Sequence, residues 1–197
     1  MEPIKQPVEK ITPLTPGFPA LYIPAFSQFL DLANRDLKVL TLESGQKEVL
    51  EELRARGFHP VGIESDPETC KELKESGFEV VCATTNKLAM IKLPDKIGSV
   101  WAGGAFRNTD LQNFELQLNI IHLILPDKAP FYFSIPYDRP PDAVPSSLND
   151  LEKLLSARGF GVLNEWDETD LEGNKWLCIL CTTRSEGGSD DQKENQH

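Results

Sequence analysis

The chain has 197 residues, of which 40% are hydrophobic and 26% are charged, and its formal net charge is -11 at pH 7. This composition is that of one folded domain rather than of a disordered or fibrous chain. Because the excess of acidic residues repels phosphate groups, nucleic acid and anionic membrane surfaces are not expected as partners. No run approaches the roughly 18 apolar residues of a membrane span.

The two ends of the chain differ from the middle. Residues 1–20 contain five prolines and predict an extended arm, with the features of neither a signal peptide nor a transit peptide. Residues 185–197 contain four acids and no apolar residue, which predicts a disordered acidic tail. The folded domain is therefore expected over residues 21–184, and a cytoplasmic location is the expected one.

Between these ends, apolar segments with helical and strand periodicity alternate along the chain. Asp66 and Pro67 form a helix N-cap and a first-turn proline, and Gly57, Gly77 and Gly159 each follow a predicted helix. The predicted helices span residues 24–33, 47–56, 66–77, 111–125 and 146–158. The predicted strands span residues 38–42, 60–64, 78–83, 98–102, 130–135, 161–166 and 175–182.

This alternation predicts the fold class. Strands separated by helices form right-handed βαβ units and a parallel sheet. The last two strands follow each other without a helix, so one of them must run antiparallel. We therefore predict an α/β fold, a three-layer sandwich around a mostly parallel sheet of seven strands with an antiparallel C-terminal hairpin. The loop at residues 137–145 is the predicted place of contact with a partner or substrate.

The chain has four cysteines, Cys70, Cys82, Cys178 and Cys181. All lie in apolar runs, which predicts buried thiols in a reducing compartment. Cys178 and Cys181 have CxxC spacing, but on a predicted strand side chains three positions apart face opposite sides of the sheet. His59 and His122 have no second ligand at metal spacing, so no metal site is expected.

The predicted ligand site lies at the end of the first strand. In open α/β sheets, ligands bind beyond the carboxyl ends of the strands. Here the first strand leads into the loop at residues 41–48, and the second strand ends about twenty residues later in Glu64. A carboxylate at this position accepts hydrogen bonds from both hydroxyls of a ribose, which predicts a nucleotide cofactor. A solvated strand end is the other interpretation of Glu64.

Several segments resemble class I S-adenosylmethionine-dependent methyltransferases, in particular small ones that act on metabolites. Residues 39–45 (VLTLESG) are similar to the first cofactor motif, and residues 53–64 to the acidic second strand. Residues 99–103 (SVWAG) are similar to the fourth strand, and residues 151–160 to the last helix. The resemblance covers residues 39–184 and implies a Rossmann-like methyltransferase fold with S-adenosylmethionine as cofactor.

The resemblance also implies which residues contact the cofactor. They are Gly45, Glu64, Glu43, Trp101 and Ala102. Gly45 would lie near the methionine moiety and Glu64 on the ribose. Trp101 would stack on adenine or substrate, although a tryptophan on a strand is also a common core residue. Neither a catalytic residue nor a metal ion follows from the resemblance.

The first motif departs from the pattern acid-x-Gly-x-Gly-x-Gly of these enzymes. Thr41 stands at the acid position, and Glu43 and Lys47 stand at the first and third glycine positions. Because Glu43 and Lys47 are four residues apart, we predict that they pair across the cleft and plug it. The cofactor motif is then degenerate, and binding of S-adenosylmethionine is doubtful.

Two functions from different classes follow. The first is a methyltransferase-like pseudoenzyme with an eroded cofactor site, serving as a binding or regulatory module for an unknown protein partner or a small molecule. The second is an active S-adenosylmethionine-dependent methyltransferase acting on a small molecule or a protein. Methyl transfer needs mainly that two reactants are held together, so activity survives without a base but not without cofactor affinity. A NAD-type oxidoreductase fits less well, because the loop lacks Gly-x-Gly.

Overall fold

The structure, a computed structural model, describes Pro19 and residues 22–43, 47–138 and 147–184. Helices and strands alternate over these residues as the sequence predicts. The helices are α1 (Ile23–Leu32), α2 (Lys47–Ala55), α3 (Pro67–Glu75), α4 (Leu111–Ile124) and α5 (Leu148–Ala157). The strands are β1 (Lys38–Leu42), β2 (His59–Glu64), β3 (Glu79–Cys82), β4 (Ile97–Ala102), β5 (Pro130–Pro136), β6 (Phe160–Thr169) and β7 (Lys175–Thr183).

Local sequence fixes where several helices begin. The Asp66 carboxylate accepts a hydrogen bond from the Thr69 backbone N–H at 2.7 Å, and Pro67 occupies the first turn of α3. Ser147 caps α5 in the same way, since its hydroxyl accepts from the Asp150 backbone N–H at 3.1 Å. These caps satisfy backbone donors that have no partner within the helix, and each stabilises its helix by about 1 kcal/mol.

The sheet has the order β3-β2-β1-β4-β5-β7-β6. All neighbouring strands pair in parallel except β7, which is antiparallel to both β5 and β6. The predicted fold class is confirmed: a mostly parallel seven-stranded sheet that ends in an antiparallel hairpin. The order reverses between β1 and β4, so the ligand-binding crevice expected of such a sheet lies beyond the carboxyl ends of these two strands.

Alternating side chains of the central strands belong to two hydrophobic cores, one on each face of the sheet. Leu40 and Ala102 pack with residues of α4 and α5, while Val39 and Trp101 pack with residues of α1 and α2. A smaller cluster joins α2, α3 and β3 around Leu50. Because helices cover both faces of the sheet, the central strands β4 and β5 are buried along their whole length, as expected for a buried parallel sheet.

Two features of the backbone differ from the predictions. A 3₁₀ helix at Thr85–Met90, which the sequence analysis did not predict, follows β3. Strand β6 continues past its predicted end at residue 166 to Thr169, because pairing with β7 holds the hairpin together up to Thr169 and Lys175. The hairpin therefore extends toward the carboxyl edge of the sheet, where it forms part of the site described below.

The prediction of four free thiols is wrong for two of the cysteines. Cys70 on α3 and Cys82 at the end of β3 form a disulfide, because the crossover from helix to strand brings their Cα atoms to 5.9 Å. Cys178 and Cys181 are buried free thiols on opposite faces of β7, as predicted. Burial raises the pKa of the Cys178 thiol to about 11, so this thiol stays protonated.

Several predictions concern residues outside the described part of the chain. These are the arm at residues 1–20 apart from Pro19, the tail at 185–197, Gly45, and the loop at 137–145 beyond residue 138. The division of the chain into arm, domain and tail therefore stays a prediction. Within the described ranges, none of the helices has the length and apolar character needed to cross a membrane.

Candidate functional site

The carboxyl edge of the sheet divides into two halves. The closed half comprises the ends of β1, β2 and β3 with the 3₁₀ helix, and the open half comprises the end of β4, the start of α1 and the turn between β6 and β7. The predicted site residues Glu43 and Glu64 lie in the closed half, where β1 and β2 end side by side. The two halves meet at Glu43 and Gly103, both of which line cavities on this edge.

Glu43 is the central residue of the closed half. Its φ of 53° is in the left-handed region, which costs a residue with a side chain about 1–2 kcal/mol and which glycine adopts freely. Its carboxylate accepts a hydrogen bond from the Ser65 hydroxyl at 3.2 Å and another from the Thr85 hydroxyl at 3.1 Å. One half-buried side chain thus joins the residues that follow β1, β2 and β3.

The 3₁₀ helix places Thr85 within reach of Glu43. The neighbouring Asn86 accepts a hydrogen bond from the side-chain amide of Gln117 on α4 at 3.0 Å, which fixes the helix against the rest of the fold. Thr85 itself is buried. Below Glu43, between Val49 and Trp101, the remaining space is about 10 Å³, at the lower limit for one water molecule.

Glu64 lies at the end of β2, as predicted, but its side chain is only 5% exposed. One of its carboxylate oxygens accepts a hydrogen bond from the Asp66 backbone N–H at 2.9 Å. The carboxylate therefore helps to hold the turn that leads into α3. Its role toward a ribose stays a prediction.

The predicted ion pair between Glu43 and Lys47 does not form. Lys47 begins α2, and its ammonium group lies 3.3 Å from the Glu51 carboxylate, one helical turn further along α2. Lys47 begins α2 as predicted, but the pair fails because its ammonium group turns along the helix to Glu51, while the Glu43 carboxylate accepts from two hydroxyl groups. Glu43 is held by two hydroxyl groups instead of by a cation.

Trp101 and Ala102 are core residues in this structure. The Trp101 ring is 2% exposed, stacks on Tyr132 with ring centroids 4.1 Å apart, and meets the ring edges of Phe26 and Phe29. Ala102 is fully buried on the opposite face of the sheet. Neither side chain lines the larger cavity of this edge, and their contact with a cofactor stays a prediction.

The open half contains a cavity of about 460 Å³. Its floor is the backbone of Gly103 and Gly104, directly after β4. The Tyr22 ring lies so close to Gly103 that a Cβ atom there would be 2.6 Å from it, so only glycine fits under this ring. The remaining lining residues are Pro19, Glu43, Arg107, Thr169, Asp170, Leu171, Glu172 and Trp176.

One wall of this cavity is a rigid, charged turn. The Asp170 carboxylate accepts hydrogen bonds from the Trp176 indole N–H at 2.9 Å, the Asn174 side-chain amide at 2.9 Å, and the backbone N–H groups of Glu172 and Asn174 at 3.0 and 2.9 Å. These donors, with Asn174 the strongest, lower the pKa of Asp170 to about 2. Across the cavity, the Arg107 guanidinium lies over the Trp176 ring, 4.7 Å from its centroid.

Sequence reasoning missed most of the residues that shape this edge. The fold brings together residues that are distant in sequence. Ser65 and Thr85 contact Glu43, and the cavity is lined by Tyr22, Arg107 and Trp176. The turn after β6 is predicted at residues 171–174, and an aspartate four residues before an asparagine, with glycine between them, is typical of a hydrogen-bonded turn. Within the described ranges, the His, Cys, Asp and Glu side chains form no group of three that could hold a metal ion.

Comparison with solved structures finds the same fold at low sequence identity. An S-adenosylmethionine-dependent methyltransferase of Methanosarcina mazei aligns with a TM-score of 0.66 and 13% identity over 80% of this chain and 97% of that one. The 1,6-didemethyltoxoflavin-N1-methyltransferase of Burkholderia thailandensis, crystallised with 1,6-didemethyltoxoflavin and S-adenosylhomocysteine, gives 0.64 and 15% over 85% and 80%. The cyclopropane synthase MmaA2 of Mycobacterium tuberculosis gives 0.61 and 10% over 75% and 78%.

The sequence itself has no such matches: no protein-family profile and no curated protein sequence matches it. At identities of 10–15%, the structural similarity establishes the fold and leaves the reaction open. The strand order, the single antiparallel strand β7 and the structural matches agree with one another. The chain therefore has the fold of the class I S-adenosylmethionine-dependent methyltransferases.

Proposed function

We propose that the protein is a non-catalytic binding module built on the methyltransferase fold, whose nucleoside site is filled by its own Glu43. The observation that carries this proposal is the Glu43 carboxylate, which bridges Ser65 after β2 and Thr85 after β3. Ligands of such sheets bind beyond the carboxyl ends of the strands, and a ribose is expected on the acid that ends β2. The hydrogen bonds of Glu43 join the residues that follow β2 and β3, next to the expected ribose position.

A nucleoside would have to displace Glu43, and three features oppose this. The carboxylate would lose two hydrogen bonds, each worth about 0.5–1.5 kcal/mol. The space between it, Val49 and Trp101 is about 10 Å³, so a nucleoside finds no preformed room there. Glu64, the expected ribose ligand, already uses one oxygen to hold the Asp66 backbone N–H. The residues present therefore do not fit S-adenosylmethionine, and we derive no step of methyl transfer.

The second candidate is an active S-adenosylmethionine-dependent methyltransferase. Two observations favour it: Glu64 still ends β2, and an open cavity of about 460 Å³ lies beside Gly103 and Gly104 at the end of β4. The methyltransferase of Burkholderia thailandensis, which shares the fold, was crystallised with S-adenosylhomocysteine. Under this candidate, Glu43 would have to leave Ser65 and Thr85 when the cofactor binds.

Calorimetric titration with S-adenosylmethionine and S-adenosylhomocysteine separates the two candidates. We expect no heat of binding with the wild-type protein at millimolar ligand. Glu43→Gly removes the bridging side chain and suits the left-handed backbone, so it should gain binding. Glu43→Gln is the matched control: it keeps the size of the side chain and both hydroxyl contacts, and it should stay closed. Micromolar binding by the wild type, weakened at least about tenfold by Glu64→Ala, would contradict the proposal and favour the second candidate.

The partner of the module is also a matter of proposal. The net charge of -11 leads us to propose a protein or a small molecule, and not nucleic acid or a membrane surface. We propose a cytoplasmic location on the composition of the sequence. Filter binding of the purified chain to labelled single-stranded and double-stranded DNA at low salt tests the first of these statements, and retention of DNA would contradict it.

A further inference from the structure

We propose that the cavity of the open half binds a small organic cation with an apolar body, of the kind in which an ammonium or guanidinium group carries a hydrocarbon part. The proposal rests on the proposed function, because it names the ligand class of the part of the site that Glu43 leaves open. It is supported by the charges of the lining residues, by the aromatic lining residues Tyr22 and Trp176, and by the guanidinium group of Arg107, which already lies over the Trp176 ring.

The charges of the cavity favour a cation. Its described lining residues include three acids, Glu43, Asp170 and Glu172, and a single base, Arg107. Asp170 is held rigidly by its hydrogen bonds, and its low pKa keeps it ionised over the whole physiological range. The net charge of the chain has the same sign and adds a long-range attraction for cations.

The walls provide the surface that an organic cation needs. Tyr22 and Trp176 are lining residues of the cavity that are themselves 1% and 5% exposed, and Leu171, which is 97% exposed, stands at its rim without any apolar cover from the described residues. Aromatic rings attract cations electrostatically through their faces, and the attraction grows when the cation is partly desolvated. A volume of about 460 Å³ is within the usual range for small-molecule sites.

Arg107 shows that this wall attracts a cation. Its guanidinium group lies 4.7 Å from the centroid of the Trp176 ring, and the residue is exposed, so packing against the described residues does not force this position. An incoming cation would compete with Arg107 for the indole and for the acidic groups. Removal of Arg107 should therefore strengthen binding of the ligand, whereas removal of an acid should weaken it. A nonspecific loss of structure would weaken binding in both variants.

The test compares three probes of the same shape and different charge: choline, its neutral isostere 3,3-dimethylbutan-1-ol, and the anion 3,3-dimethylbutanoate. Binding is followed in ¹H–¹⁵N spectra at the indole N–H of Trp176, which donates to Asp170. The signal is assigned with Trp176→Phe. We expect choline to bind about three to five times more tightly than the alcohol, the effect of a partly exposed cation–π contact, and the anion to bind most weakly.

Three variants complete the test. Glu172→Gln should weaken choline binding about threefold, and Arg107→Ala should strengthen it by a similar factor. Glu165→Gln is the matched control, because it removes the same charge from the same hairpin outside the cavity, and it should leave binding unchanged. The backbone spectra verify that each variant is folded.

Equal affinity for choline and the alcohol, weaker choline binding in Arg107→Ala, or no shift with any probe would overturn the proposal. The proposed function is tested separately, by S-adenosylmethionine with the Glu43 variants. Tight binding of S-adenosylmethionine to the wild type would contradict the proposed function. It would not decide which class of ligand binds in the cavity. Conversely, failure of the choline test would leave the closed nucleoside site as proposed.

Discussion

The closed and open halves of the carboxyl edge differ although they belong to one sheet. In the closed half, Glu43 ties together the residues after β1, β2 and β3, and a disulfide joins α3 to β3. In the open half, Gly103 and Gly104 form the floor of the cavity and the hairpin turn forms a wall. On the neighbouring strand β7, Cys178 and Cys181 are free thiols. A single half-buried side chain, at a backbone position suited to glycine, therefore joins the strand ends of one half, while the other half keeps a floor of glycine backbone.

The disulfide is the feature of the closed half whose removal should have the largest effect on stability. Closing a loop of this sequence separation restricts the unfolded chain, so Cys82→Ser should lower the free energy of unfolding by roughly 2–3 kcal/mol under oxidising conditions. Urea denaturation with and without dithiothreitol measures the change. In the presence of the reductant, the wild type should lose most of its advantage over the variant.

Superimposable wild-type curves with and without dithiothreitol would show that the pair contributes nothing to stability. Cys178→Ser, on strand β7, serves as the control. This thiol is free and buried, so its substitution should not make stability depend on the reductant.

The sequence predicts the scaffold well because the signals for it are local. The strand at residues 38–42 matches β1 at both ends, and the capping pair Asp66 and Pro67 starts α3 where predicted. The interior of the site depends on contacts between distant residues. Glu43 reaches Ser65 and Thr85, which are 22 and 42 positions away, and Thr85 lies on a 3₁₀ helix for which the sequence analysis found no signal. Local reasoning offered only Lys47 as a partner, and it was wrong.

The backbone of Glu43 provides a second comparison, because glycine fits its conformation and alanine does not. Glu43→Gly and Glu43→Ala lose the same two hydrogen bonds, but only glycine relieves the left-handed φ of 53°. We expect the glycine variant to be more stable than the alanine variant by about 1 kcal/mol, which is the cost of a Cβ atom at this φ reduced by the greater flexibility of glycine in the unfolded chain. Thermal and urea denaturation measure the difference.

A matched pair of variants at the opposite edge of the sheet sharpens this experiment. Lys128 also has a positive φ, 60°, but belongs to a turn far along the chain from the site, so the glycine and alanine variants of Lys128 report the backbone effect alone. A similar difference at both positions supports the explanation from backbone conformation. A more stable alanine variant at position 43 would contradict it.

The smallest expected effect is the pH dependence that Asp170 gives to the open half. Hydrogen bonds from Asn174 and Trp176 lower its pKa from 3.8 to about 2 in the folded chain, and the unfolded chain lacks them. The unfolded state therefore binds a proton first as the pH falls, so the stabilisation is complete above about pH 4 and is lost as the pH falls toward 2. In Asp170→Asn this contribution is absent, and the free energy of unfolding should fall less steeply between pH 4 and pH 2 than in the wild type.

The difference in slope should persist at high salt, because it arises from hydrogen bonds within the turn and not from distant charges. Parallel pH profiles for the two proteins would mean that the turn does not hold Asp170 in solution, and the rigid acidic wall that we assign to the cavity would then be lost with it.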